Sequence, residues 1–306
     1  MGRRELVSSI AVLALASGIV PTGFVHGPVQ ARDAALDLAP SSAWVLDYAA
    51  DSCALRREFG GPDTPVVIEL RQYAPDRIDF QVLAVSSNFR LKSRSTARNL
   101  AVRYLPDVDS SPTGIAFNMQ PSNGMNGITF TSTLFPAQWE SPSTDRLTAA
   151  DRIARESEVV AIELVNAFRD DVVLTTGSLR APMEAMRGCL DELLTHWGID
   201  VEAHRQLASP VAPLQMEDWA RAVYDVYPAR MVRSGSQAIL RIRMNVSDEG
   251  MPTSCSMQTR MGEEEFERTA CEILMRRARF SPAIAADGTP IASYYILSVV
   301  YSMSHG

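Results

Sequence analysis

Four cysteines, Cys53, Cys189, Cys255 and Cys271, are the residues here whose type and number point to a definite chemistry, disulfide formation. Four cysteines allow three pairings, and the alternative is free buried thiols. Metal chemistry has little to work with. Beyond His26, the histidines are His196, His204 and His305, with no i, i+4 pair, and no Cys-x-x-Cys occurs. We expect no metal site and no cofactor, and expect these histidines at the surface. There is no Walker loop, no G-x-G-x-x-G after a strand and no G-x-S-x-G elbow. Asp287-Gly288-Thr289 spells an aspartic-protease triplet, but that chemistry needs paired acids and no second copy is present, so it reads as a turn. The chain is expected not to be an enzyme.

The elements that must position the cysteines follow from periodicity. From Ser236 to Ser247, Ala238, Leu240, Ile242, Met244 and Val246 share one face while Arg241, Arg243 and Asn245 share the other, the period of a half-buried strand. Asp248-Glu249-Gly250 is a turn in which Gly250 takes a positive φ, and Met251 to Gln258 returns as a second strand. Glu263 to Arg279 reads as a helix. Glu263, Glu264, Glu265 and Glu267 match the positive end of its dipole, and Arg276, Arg277 and Arg279 the negative end. Phe266, Ala270, Ile273 and Leu274 form its apolar stripe, and Pro282 ends it. Ala292 to Met303 is a last strand. Cys255 then sits on the hairpin and Cys271 on the helix above it, which favours that pair and leaves Cys53 with Cys189. The short loop is worth ~3 kcal/mol by chain entropy.

Along this stretch, Tyr227-Pro228-Ala229, Gly235, Val246-x-x-x-Gly250, Ala270-Cys271, Arg277-Ala278-Arg279-Phe280-Ser281-Pro282-Ala283 and Asp287-Gly288-x-Pro290 occur in order before the terminal strand. Together they resemble the C-terminal domain of TonB, the energy transducer of Gram-negative bacteria, over the last quarter of the chain. The resemblance implies a small periplasmic α/β domain that binds a segment of an outer-membrane receptor by adding a strand to a sheet edge. The partner is then an outer-membrane receptor segment of the TonB-dependent type or another envelope protein. The terminal strand is the expected binding element. It carries Tyr294, Ile296 and Val300 on one side and Tyr295, Leu297, Val299 and Tyr301 on the other, with Ser298 interleaved. A strand apolar on both faces is either covered twice or open to a partner, and an open edge also allows a homodimer.

The rest of the chain divides around that unit. Residues 1–31 read as a signal peptide, with Arg3 and Arg4 before an apolar run and Val29-Gln30-Ala31 as the cleavage site; the alternative is an inner-membrane anchor. Residues 43–200 read as a β-rich domain of unknown function. Strands are expected at Trp44 to Tyr48, Cys53 to Phe59, Val66 to Tyr73, Ile78 to Val85, Ala101 to Leu105, Thr113 to Phe117, Ile128 to Leu134 and Val172 to Thr175. Glu158 to Phe168 fits strand or helix. Ala181 to Trp197 is a helix with Met183, Met186, Leu190, Leu193 and Leu194 inward, stopped by Gly198. Residues 201–216, with Pro210 and Pro213, read as a linker, and 217–306 as the TonB-like ββαβ domain. The fold class is α+β. The net charge of −7 argues against nucleic acid as a partner. Transducers of the resembled kind carry a membrane anchor and a Pro-rich spacer. A folded domain stands in that place here, which leaves a soluble periplasmic interaction module without an energy-transducing role as the second reading.

Overall fold

The computed structural model describes residues 35–75, 77–87, 99–119, 125–136 and 147–303. The expected signal peptide (residues 1–31) and His305 lie outside them. Strands β1 (Leu36–Leu38), β2 (Val45–Ala49), β3 (Ser52–Phe59), β4 (Val66–Gln72), β5 (Asp79–Ser86), β6 (Ala101–Leu105), β7 (Phe117–Met119) and β8 (Asn126–Thr133) come first. Helix α1 (Ala149–Glu158), β9 (Ala161–Val165), β10 (Val172–Leu174) and α2 (Arg180–His196) follow. β2-β3-β4-β5-β8-β7 form an antiparallel sheet, and β1-β10-β9-β6 form a second sheet. Phe59, Ile68, Leu70, Phe80, Val82 and Phe130 from the first sheet, Tyr104, Ile162 and Leu164 from the second, and Met186, Leu190 and Leu194 from α2 share one core. Cys53 on β3 is bonded to Cys189 on α2.

Two expectations change here. The ambiguous stretch from Glu158 splits. α1 is fixed at its start by Thr148, whose hydroxyl accepts from the Asp151 N–H while the Asp151 carboxylate accepts from the Thr148 N–H. It ends at Glu158, and the alternating residues beyond form β9. Thr113 to Phe117 is not a strand. Thr113 bridges to Ser132 and the strand begins at Phe117 opposite Thr129, so four steps on this side face three on the other and the residues between leave the regular ladder.

The chain continues through α3 (Val201–Arg205), β11 (Leu207–Ser209), β12 (Ala212–Leu214), α4 (Met216–Tyr224), α5 (Ala229–Ser234), β13 (Ala238–Val246), β14 (Pro252–Met261), α6 (Glu264–Arg277), β15 (Arg279–Ser281), β16 (Ala283–Ala285), β17 (Pro290–Ile291) and β18 (Ser293–Tyr301). With these elements the class is α+β, and the ββαβ core is β13, β14, α6 and β18. α6 starts with Glu264, Glu265 and Glu267, ends with Arg276 and Arg277, and buries Phe266, Ala270, Ile273 and Leu274. Burying Phe266, Ile273 and Leu274 contributes roughly 1.5–3 kcal/mol each before ordering costs. Cys255 on β14 is bonded to Cys271 on α6. Segment 201–216 holds two short strands: β12 pairs with β15 and β11 with β16, clasping the segment after α6.

Candidate functional site

β14-β13-β18 is the strand order of the C-terminal sheet, so β18 is hydrogen-bonded through β13 on one side and forms one edge. Register sorts the side chains of β18. Tyr301, Val299, Leu297, Tyr295 and Ser293 stand opposite Ala238, Leu240, Ile242, Met244 and Val246 of β13. The apolar β13 residues, with Val299 and Tyr301, enter the core under α6 and α4, and Tyr295 and Leu297 pack against that core while half-exposed. Burial pushes the Tyr301 phenol up to about 12, with Tyr224 and Tyr227 adding to the rise. Tyr295 is raised by burial as well.

The other face of the sheet is covered by the N-terminal part. Arg243, only 5% exposed, lies 4.0 Å from the Trp197 ring centroid and donates to Asp51 from Nη2 at 2.8 Å and Nε at 3.2 Å. Asn245 donates to the Trp197 carbonyl at 3.1 Å, and Gln258 to the Tyr73 carbonyl at 2.9 Å. Arg241 stands 4.8 Å from the Tyr73 ring centroid, where burial lowers its pKa below the ordinary arginine value and pushes the Tyr73 phenol up to about 12. The polar stripe of β13 is therefore an internal contact.

That cover extends over only half of β18. Tyr294 stacks on His204 at 5.4 Å and meets Trp197 edge-on at 5.3 Å, and Ile296 packs on the N-terminal core. Ser298 and Val300 on the same face are exposed. His204, expected at the surface, is 6% exposed, because its ring fills the space over Tyr294 and its Nδ1 lies 3.2 Å from the Ser293 hydroxyl. Of the eight strand residues expected to bind, Ser298 and Val300 are the exposed ones. At the start of β18 an open cleft of about 440 Å³ is lined by Trp197, Asn245, Asp248, Thr253 and Ser293 among others. Asp287 and Thr289 form a turn, with Thr289 N–H donating to the Asp287 carboxylate at 2.9 Å, and that bond holds the carboxyl below its ordinary value. Among the described residues no group of three or more His, Cys, Asp or Glu side chains is arranged to hold a metal ion.

Helix α4 was not singled out in the sequence. Trp219 and Val223 anchor it in the core, and Met216 and Tyr224 are about half exposed beside β18. The Tyr295 hydroxyl points at the Met216 sulfur, 3.9 Å away. The signal available was the i, i+4, i+8 spacing of Met216, Ala220 and Tyr224.

A three-stranded antiparallel sheet carrying helices on one face, with its terminal strand at an edge, defines a small α+β unit. Residues 223–303 match the family described as Gram-negative bacterial TonB protein C-terminal, and the last quarter of the chain is a TonB C-terminal domain. Among solved structures, the solution structure of the Helicobacter pylori TonB C-terminal domain is similar at 11% identity, covering 36% of this chain and 88% of that one with a TM-score of 0.23. No curated protein matches the chain. Among the described residues no helix is long and apolar enough to cross a membrane.

Proposed function

We propose that this is a periplasmic, non-enzymatic binding protein that adds an extended segment of an outer-membrane receptor to the outer edge of β18. The observation that carries the reading is that β18 ends the sheet within a TonB C-terminal domain. Main-chain N–H and C=O groups on that edge supply affinity, and pockets for alternate side chains supply choice. Export would use residues 1–31, either cleaved or kept as an inner-membrane anchor. N-terminal sequencing of the protein from fractionated cells separates these: an intact, membrane-retained start supports energy transduction.

The second reading is a soluble envelope interaction module. It is favoured by the folded β-rich part packed on the sheet through Arg243, Asn245 and Gln258. Both readings share the edge, and one experiment addresses it. N–H groups of neighbouring strand residues point to opposite edges, so of Leu297→Pro and Ser298→Pro one removes an outward donor and the other breaks the inner ladder. A photo-crosslinker at Val300 should capture outer-membrane receptors in cells, and the folded proline variant should lose them. Capture of receptors that survives in both variants would end the strand-addition reading. A self-crosslink with a dimer in sedimentation would replace the receptor by a second copy.

A further inference from the structure

The edge of β18 has a wall. Trp219 and Val223 hold α4 on the same sheet face as α6. Met216, Ala220 and Tyr224 follow one another up the helix at steps of four, so they share a flank. One contact ties that flank to β18: the Met216 sulfur meets the Tyr295 hydroxyl at 3.9 Å, and Tyr224, two turns further up, adds to the rise of the Tyr301 phenol. Met216 at 48% and Tyr224 at 55% keep large apolar surfaces open to water. Tyr295 and Leu297, half-exposed on the same face, continue that surface onto the strand itself.

We propose that the flank of α4 formed by Met216, Ala220 and Tyr224 is the specificity wall of the β18 edge, selecting an extended peptide with apolar side chains at every second position. The proposal rests on the strand-addition reading above. A chain added to β18 sends alternate side chains to opposite faces. Those on the face shared with Tyr295 and Leu297 would lie under α4 and lose water against it, so apolar side chains gain there and polar ones do not. Those on the Ser298 and Val300 face remain in solvent along the outer half of the strand and are unconstrained. The wall thus reads a period of two.

The test uses the whole protein and two labelled nine-residue peptides, one alternating valine with threonine, the other threonine with glutamine only. By fluorescence anisotropy the first should bind about tenfold more tightly, the scale of a few buried methyl groups. Met216→Ser with Tyr224→Ser should erase that preference while weak binding of the polar peptide persists. Val108→Ser, which removes an exposed apolar residue elsewhere, should leave the preference unchanged. A preference that survives the double substitution overturns the wall and leaves the edge reading standing. Failure of the unaltered protein to bind either peptide overturns both. A dimer that excludes the peptides makes a second copy the occupant and overturns the wall's role in peptide choice.

Discussion

Replacing Asp51 by Asn should weaken the contact between the two parts of the molecule by an amount that can be worked out beforehand. Arg243 is almost wholly buried, and Asp51, whose side chain is 24% exposed, is its ion-pair partner at 2.8 Å. Breaking a fully buried pair costs about 3–5 kcal/mol, chiefly because the remaining charge is stranded. Here the guanidinium keeps the Trp197 ring and the Asn245 side chain, and water reaches the Asp51 site. We therefore expect about 2 kcal/mol for Asp51→Asn, which lowers the melting temperature by roughly 4–8 °C at this size. Arg243→Met should cost about 1 kcal/mol, since Asp51 can take up water. Combining the two removes both charges, so the double variant should lose no more than about 1.5 kcal/mol, well short of the sum. The assay is urea unfolding of all four proteins followed by the summed fluorescence of the four tryptophans, Trp197 among them. Single losses that add to within about 0.5 kcal/mol would refute the reasoning, since additivity means that the two side chains do not interact.

Other expectations follow from the cross-links, the turns and the sheet surface. Breaking Cys53–Cys189, with a separation of 136 residues, should destabilise more than breaking Cys255–Cys271, with 16, at about 5 against 3 kcal/mol; unfolding of Cys→Ala pairs tests the order, and equal losses would count against it. Gly250→Ala should cost at least ~1–3 kcal/mol, because φ is +79° and a Cβ would stand 2.0 Å from the Phe280 carbonyl oxygen; a variant as stable as the parent would show that the turn can shift. Burial works against the Glu69 carboxylate, yet hydrogen bonds from Arg71 and Arg56 outweigh it and hold the pKa below its ordinary 4.5. A depressed folded pKa gives stability that is complete above the unfolded value and lost as pH falls through the folded one. Urea midpoints should therefore drop more between pH 5 and pH 3 for the parent than for Glu69→Gln, and parallel curves would contradict the assignment.

Periodicity in the sequence reached the C-terminal unit well, because each of its elements has one dominant apolar face. The glutamates and arginines of α6, the alternation of β13 and the positive φ at Gly250 are all local properties. What covers the second face is not local. Arg241, Arg243 and Asn245 are polar at every second position, and that pattern is the same whether the face meets water or the Trp197 ring and Asp51. The short strands β11 and β12 have three residues each, too few to establish a period, and their partners lie some seventy residues on. Met216, Ala220 and Tyr224 carry helical spacing over barely two turns, so their role comes from the strand beside them. The strand β18 itself reads apolar on both faces, and only its register on β13 shows which half is covered.

Both disulfides close within their own side of the internal contact: Cys53–Cys189 lies wholly before α3, and Cys255–Cys271 wholly after β12. The two covalent loops do not overlap along the chain, and residues 190–254 are the backbone that joins them. Oxidation therefore stiffens each side separately without bolting one to the other. In an oxidising compartment the Arg243, Asn245 and Gln258 contacts can be taken apart and remade with every sulfur staying where it is. Any rearrangement that bares the second face of the sheet must break hydrogen bonds, one ion pair and the ring contacts of Trp197, Tyr73 and His204, and proceeds without thiol exchange.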